Sequence, residues 1–174
     1  MKNKIPWLII FLSFSLLGLR QAHGRTEEYL QAQEAVKSGN KEFSFIYFLS
    51  ELRNNPQSEK RQEALFATAE YLFFIHAYND AFNVLVEFVE DYPLSEMRTS
   101  ALFYMLKIAQ TWGKEDLAKA IKKQIINQKR TVFIFQETKE YNFKSPLDID
   151  HKLIYYIDKL EFYSDGNLQA QIFY

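Results

Sequence analysis

The sequence predicts an all-α protein built from tandem helical hairpins, and three observations predict it. The stretch NKEFSFIYFLSELRNNPQSE from Asn40 and the stretch AYNDAFNVLVEFVEDYPLSE from Ala77 share an aromatic-rich apolar run, an acidic patch and a proline leading into Ser-Glu, with Pro56 and Pro93 lying 37 residues apart. Apolar residues recur at spacings of three and four rather than two. Glycine and proline are scarce, at 5 and 4 residues, which favours long helices over a turn-dense sandwich. The 174 residues fit one globular unit, and 48% apolar with 25% charged residues excludes a disordered chain.

Residues 1–24 read as an export signal. Lys2 and Lys4 precede an apolar core from Ile5 to Leu19, and Ala22-His23-Gly24 supplies the small residues of a cleavage site. A spanning helix needs about 20 apolar residues, so cleavage after Gly24 is favoured over an uncleaved anchor. The expected location is periplasmic or secreted. No cysteine is present, which closes both the acylated-lipoprotein route and disulfides. Losing this segment removes Lys2, Lys4 and Arg20 and no acid, taking the formal charge from −1 to −4. A mildly acidic chain is a poor binder of phosphate backbones, so no nucleic-acid partner is expected.

Residues 25–130 divide into three units of period 37. The shift aligns Ser58-Glu59 with Ser95-Glu96, Ala64-Leu65-Phe66 with Ala101-Leu102-Phe103, Gly39 with His76 and Gly113, and Ala81 with Ala118. In the middle unit Leu65, Ala69, Leu72 and His76 trace one helical stripe, and Ala81, Val84, Leu85, Phe88 and Val89 trace a second. A link around Ala77 to Asn79 joins them, and Asp91-Tyr92-Pro93 ends the second helix, because proline disfavours helix in the residue before it. Asn79, Ser58 and Ser95 are candidate N-caps. Lys119, Lys122, Lys123, Lys129 and Arg130 form a basic run near the end of the last helix, either a solvated face or a contact for anionic lipid or an acidic partner.

This pattern resembles tetratricopeptide repeats. The small slot of the first helix is Ala32, Ala69 and Leu106; the turn slot is Gly39, His76 and Gly113; the alanine slot of the second helix is Ser44, Ala81 and Ala118. The 37-residue unit, longer than the standard 34, is similar to the version found in periplasmic and outer-membrane assembly proteins of bacteria. The resemblance spans Thr26 to Gln128. Leu106, Lys122 and Arg130 depart from it, so the third unit reads as a terminal cap.

The resemblance implies a right-handed superhelix whose first helices line a concave face. The slots on that face are Thr26, Tyr29, Gln33, Val36 and Lys37, then Glu63, Phe66, Glu70, Phe73 and Phe74, then Ser100, Phe103, Lys107, Gln110 and Thr111. Tyr29, Phe66, Phe73, Phe74 and Phe103 would form an aromatic floor, with Glu63, Glu70 and Lys107 around it, which is the apolar centre and charged rim of a partner-binding groove. The competing reading packs the same phenylalanines against the C-terminal segment of the chain.

Residues 131–174 change character. Thr131 to Phe135 is a β-branched and aromatic run, a strand or the end of the last repeat helix. Ser145-Pro146 before Asp148 reads as a helix start, with Ile149, Leu153, Tyr156, Ile157 and Leu160 on one face of a helix to about Lys159. A short hairpin turning at Ser164-Asp165-Gly166-Asn167 follows. Asp148, Asp150 and His151 have metal-ligand chemistry, but at a helix start carboxylates more often serve the dipole, and no metal or cofactor is expected. The chain lacks an HExxH motif, a phosphate-cradling loop and a nucleophile elbow, so no catalytic residues are assigned. The expectation is an exported, non-catalytic adaptor that holds an envelope protein through the groove; the alternative is a binding protein for a lipid or glycan that uses the same aromatics.

Overall fold

A computed structural model describes residues 26–128 and 138–174. Six helices run in tandem: α1 (Glu27–Lys37), α2 (Lys41–Asn54), α3 (Arg61–Phe74), α4 (Tyr78–Asp91), α5 (Arg98–Thr111) and α6 (Glu115–Gln128). Four strands follow, β1 (Thr138–Lys144), β2 (Asp150–Tyr156), β3 (Lys159–Ser164) and β4 (Asn167–Phe173), forming an antiparallel sheet in the order β1-β2-β3-β4. The export signal and the Thr131–Phe135 run lie outside the described residues. No described helix is long and apolar enough to cross a membrane.

The period of 37 is realised in backbone geometry. Gly39, His76 and Gly113 close the three hairpins with φ of 75°, 62° and 67°. Each amide donates back into the preceding helix, to Val36, Phe73 and Gln110, and the next amide reaches one residue further, to Ala35, Leu72 and Ala109. This pair of bonds is the Schellman closure, which requires a left-handed residue. The connections between hairpins repeat as well: Ser58 and Ser95 each accept from the amide two residues on, Lys60 and Met97. Asn79 caps nothing, because α4 begins one residue before it, with Ala77 at the N-cap. Tight packing uses the small residues, with Ala32, Ala69, Ser44 and Ala81 all fully buried.

α3 and α5 are buried nearly all round, at Ala64–Glu70 and at Thr99–Leu106. A helix apolar on every side must be covered on every side. α4 covers one flank of α3, through Phe66 against Phe88, and the sheet covers another.

The all-α class and the C-terminal helix to Lys159 are therefore corrected. The segment from Asp150 is strand, and His151, Leu153 and Tyr155 pair with Ser164, Phe162 and Leu160 across β2 and β3 to make one buried face. Alternation beat the helical spacing because the helices present an apolar face that only a pleated layer with period two fills. The capping signal at Ser145 was real but caps a loop: its hydroxyl oxygen accepts from the amides of Leu147 and Ile149 in the β1–β2 turn. The hairpin at Asp165-Gly166 forms, with both residues at positive φ, 46° and 74°.

On the outer face of the sheet Glu161 accepts from Lys159, Tyr163 and Gln171 at 2.7–2.8 Å. These donors, the Lys159 ammonium first, hold its carboxyl down at about 2. A folded-state value below the unfolded one of 4.5 means that the stability it contributes is present above pH 4.5 and is lost as pH falls toward 2. Glu161→Gln is expected to flatten the acid limb of chemical-denaturation stability between those values. In the helical layer, Gly113→Ala places a Cβ at positive φ with no neighbour within 4 Å, so its cost is backbone strain alone. A loss of about 1 kcal/mol is expected, and His76→Gly should gain a similar amount, both read by urea titration.

Candidate functional site

The first helices α1, α3 and α5 carry the residues assigned to the groove, and the structure divides these residues into a covered half and an open half. Across the covered half lies the sheet. Phe66 and Phe103 are fully buried; Phe66 meets Phe143 and His151, and Phe103 stacks on Phe162 with centroids 5.0 Å apart. Lys107 donates to the Gln169 carbonyl of β4 at 3.0 Å. Phe73 packs within the helical layer against Tyr104, at 4.6 Å, while Phe74 remains 44% exposed. The aromatic floor is thus largely the seat of the chain's own C-terminal segment.

At the centre of this seat is a pair of ionisable side chains out of contact with water. Glu70 and His151 both have fully buried side chains, and His151 Nε2 lies 2.6 Å from Glu70 Oε1. The same oxygen accepts from the Tyr104 hydroxyl at 2.8 Å. Burial, then the Glu70 charge, pushes the Tyr104 hydroxyl well above its ordinary value. The imidazole is sandwiched between Phe143 and Phe162, with centroids at 4.8 and 5.4 Å. Glu70 Oε2 and His151 Nδ1 find no partner among the described residues. The cluster is sealed from solvent and offers no approach to a substrate.

His151 therefore points away from Asp148 and Asp150, which lie exposed on the β1–β2 side, where both pair with Lys144, Asp148 at 2.9 Å. No group of three or more metal-ligating side chains occurs among the described residues.

The open half is a cleft of about 440 Å³ between α1, the two inter-hairpin loops and the β1–β2 loop. Tyr29, Gln33, Val36, Lys37 and Glu63 line it, all of them assigned to the groove from sequence. Tyr29 donates its hydroxyl to Glu63, whose other oxygen pairs with Lys60, and Gln33 donates to the Tyr29 oxygen at 3.3 Å. Glu59 and Glu96, equivalent under the 37-residue shift, come from successive loops to one rim. Asp148 and Lys144 face them from the sheet; the Asp148 carboxylate holds the Lys144 proton on and raises that ammonium. Sequence reasoning missed the sheet wall, because Phe143 to Asp148 were assigned to no strand. The rim acids were visible only as repeated Ser-Glu pairs.

No family model and no curated protein matches this chain.

Removing one partner of a buried hydrogen-bonded pair leaves the other unsatisfied, at a cost of about 1–3 kcal/mol. His151→Ala and Glu70→Ala are each expected to destabilise by that amount in denaturant titration. Glu70→Gln/His151→Phe, which removes the pair as a whole, should cost much less than the two single losses added together.

Proposed function

We propose that this protein is an exported, non-catalytic adaptor of tetratricopeptide-like hairpins that holds a protein partner in the cleft between α1, the inter-hairpin loops and the β1–β2 loop. One observation carries the reading. The groove slots Gln33, Val36, Lys37 and Glu63 remain at least partly exposed and, together with the buried Tyr29, line a single open cleft. Its lining mixes the apolar Val36, Met97, Phe143 and Pro146 with a larger number of amide, hydroxyl and charged groups, which suits a polypeptide better than a lipid. The aromatics that would have formed a lipid or glycan pocket, Phe66 and Phe103, are already packed against Phe143 and Phe162.

The acidic rim of Glu59, Glu96 and Asp148 outnumbers the lysines Lys37 and Lys144, so the partner segment is expected to be basic or amide-rich. Residues 1–24 deliver the chain to the envelope, and the partner is an envelope protein. The tetratricopeptide-like assignment rests on the 37-residue period and its three left-handed turn residues.

Affinity purification of tagged full-length protein after crosslinking in its native envelope tests the reading. The comparison is wild type against Gln33→Ala/Val36→Asp, both half-exposed positions, with folding of the variant checked by circular dichroism. A defined partner recovered with wild type and reduced at least tenfold with the folded variant supports it. Equal recovery removes the cleft from the function.

A further inference from the structure

The sheet has two edges, and they are built differently. β1 carries Lys139, Glu140 and Lys144 within seven residues, the charged pattern that keeps a strand edge from pairing with another chain. β4 reads Asn-Leu-Gln-Ala-Gln-Ile-Phe, with no charge and no proline, and it exposes Leu168 and Phe173 at 51% and 57%. No described strand pairs with its outer edge. An uncharged, seven-residue edge with apolar side chains in water is the form that invites strand addition.

Beside that edge runs a groove of about 440 Å³, walled on one side by Gln171 and Ile172 of β4 and on the other by α5 and α6. The helical wall brings Lys114, Lys119 and Lys122 to it against the single acid Glu115. Lys119 lies 3.9 and 3.8 Å from Glu115 and Asp116, with its side chain 72% exposed. Lys114 rests on the Trp112 ring at 4.7 Å. The lysines thus run along one wall, and among the described residues no strand pairs with the outer edge of the opposite wall.

We propose that the β4–α6 groove binds an extended acidic segment of a partner protein, which adds to the sheet as a fifth strand beside β4. Main-chain hydrogen bonds to β4 supply affinity, and carboxylates at alternate positions of the incoming segment meet the lysines of α6. Alternation sends successive side chains to opposite faces, so acids would occupy every second residue on the helical side and β-branched residues the rest. The cleft between α1 and the β1–β2 loop shares no lining residue with this groove, so the two sites stand or fall separately.

The test is selection of a displayed library of random twelve-residue peptides on the full-length protein, followed by titration of the enriched peptides against wild type and Lys119→Glu/Lys122→Glu. Lys119 is exposed and Lys122 half-exposed, and folding of the variant is checked by circular dichroism. Expected is enrichment of alternating acidic and β-branched sequences, at least tenfold weaker binding to the variant, and slowed hydrogen exchange at β4 amides in the complex. The Gln33→Ala/Val36→Asp cleft variant should bind these peptides as wild type does. No enrichment, enriched peptides without acids, equal binding to the charge-reversed variant, or protection confined to β1 or the cleft would each overturn the proposal. A dimer paired through β4 at the protein concentrations used would also overturn it, by making a second copy the occupant.

Discussion

One desolvated carboxylate organises the join between the two layers of this molecule. Glu70 sits on a helix whose neighbours are alanine, phenylalanine and leucine, and its side chain is fully buried. A carboxylate in that position is tolerable only if donors reach it, and they come from two elements, Tyr104 on α5 and His151 on β2. The hydrogen bond to His151 therefore does more than attach the sheet. It selects a register, because moving β2 by one residue would present Lys152 or Asp150 to the pocket and turn the imidazole to solvent. Phe143 and Phe162 then have a fixed place on either side of the ring. Apolar packing supplies the area and the polar cluster supplies the alignment.

The helical layer obeys a second constraint that is independent of the first. A hairpin whose helices pack closely needs a reversal of minimal length, and the Schellman closure provides one at the cost of a left-handed residue in every unit. Two units meet that cost with glycine. The middle unit uses His76, whose ring nitrogen lies 2.7 Å from the Tyr78 hydroxyl, a local contact that offsets part of the strain. That a histidine occupies the same φ region as Gly39 and Gly113 shows that the closure is imposed by the helices rather than by glycine's own preference.

These two constraints explain what could be read from the sequence. Local features were legible: the 37-residue period, the turn slots Gly39, His76 and Gly113, the end of α4 at Asp91, and the Asp165-Gly166 hairpin all depend on residues close in the chain. The strand character of Asp150–Tyr156 was not, because Ile149, Leu153, Tyr156 and Ile157 also fit a helical face and Ser145-Pro146 looks like a helix start. What decides between the two periods is the apolar face of α3 and α5 that the segment must cover, a nonlocal fact. The fate of the groove residues follows from the same point. Their position on the first helices was legible in the repeat, but which of them remain open depends on where the sheet ends. Gln33 and Glu63 stay partly open beside the β1–β2 loop; Tyr29, Phe66, Glu70 and Phe103 do not.

Covering a repeat face with the chain's own sheet has a structural consequence at the margins. A helical array alone has no unpaired backbone along its sides, since each helix satisfies its amides internally. Adding an antiparallel sheet solves the exposure of Phe66 and Phe103 but introduces two strand edges, and each edge must be guarded or used. The β1 edge is guarded with charge, through Lys139, Glu140 and Lys144, and Lys144 is tied further by Asp148. The β4 edge carries no charge, although a register irregularity opposite Phe162 and Tyr163 interrupts its pairing and Lys107 caps its carbonyl at Gln169. The asymmetry does not come from the core, because no residue of β1 and only Ile172 of β4 is buried. It lies where the chain faces outward, and the uncharged edge beside a lysine-lined wall is the side of the sheet proposed above to receive a second polypeptide.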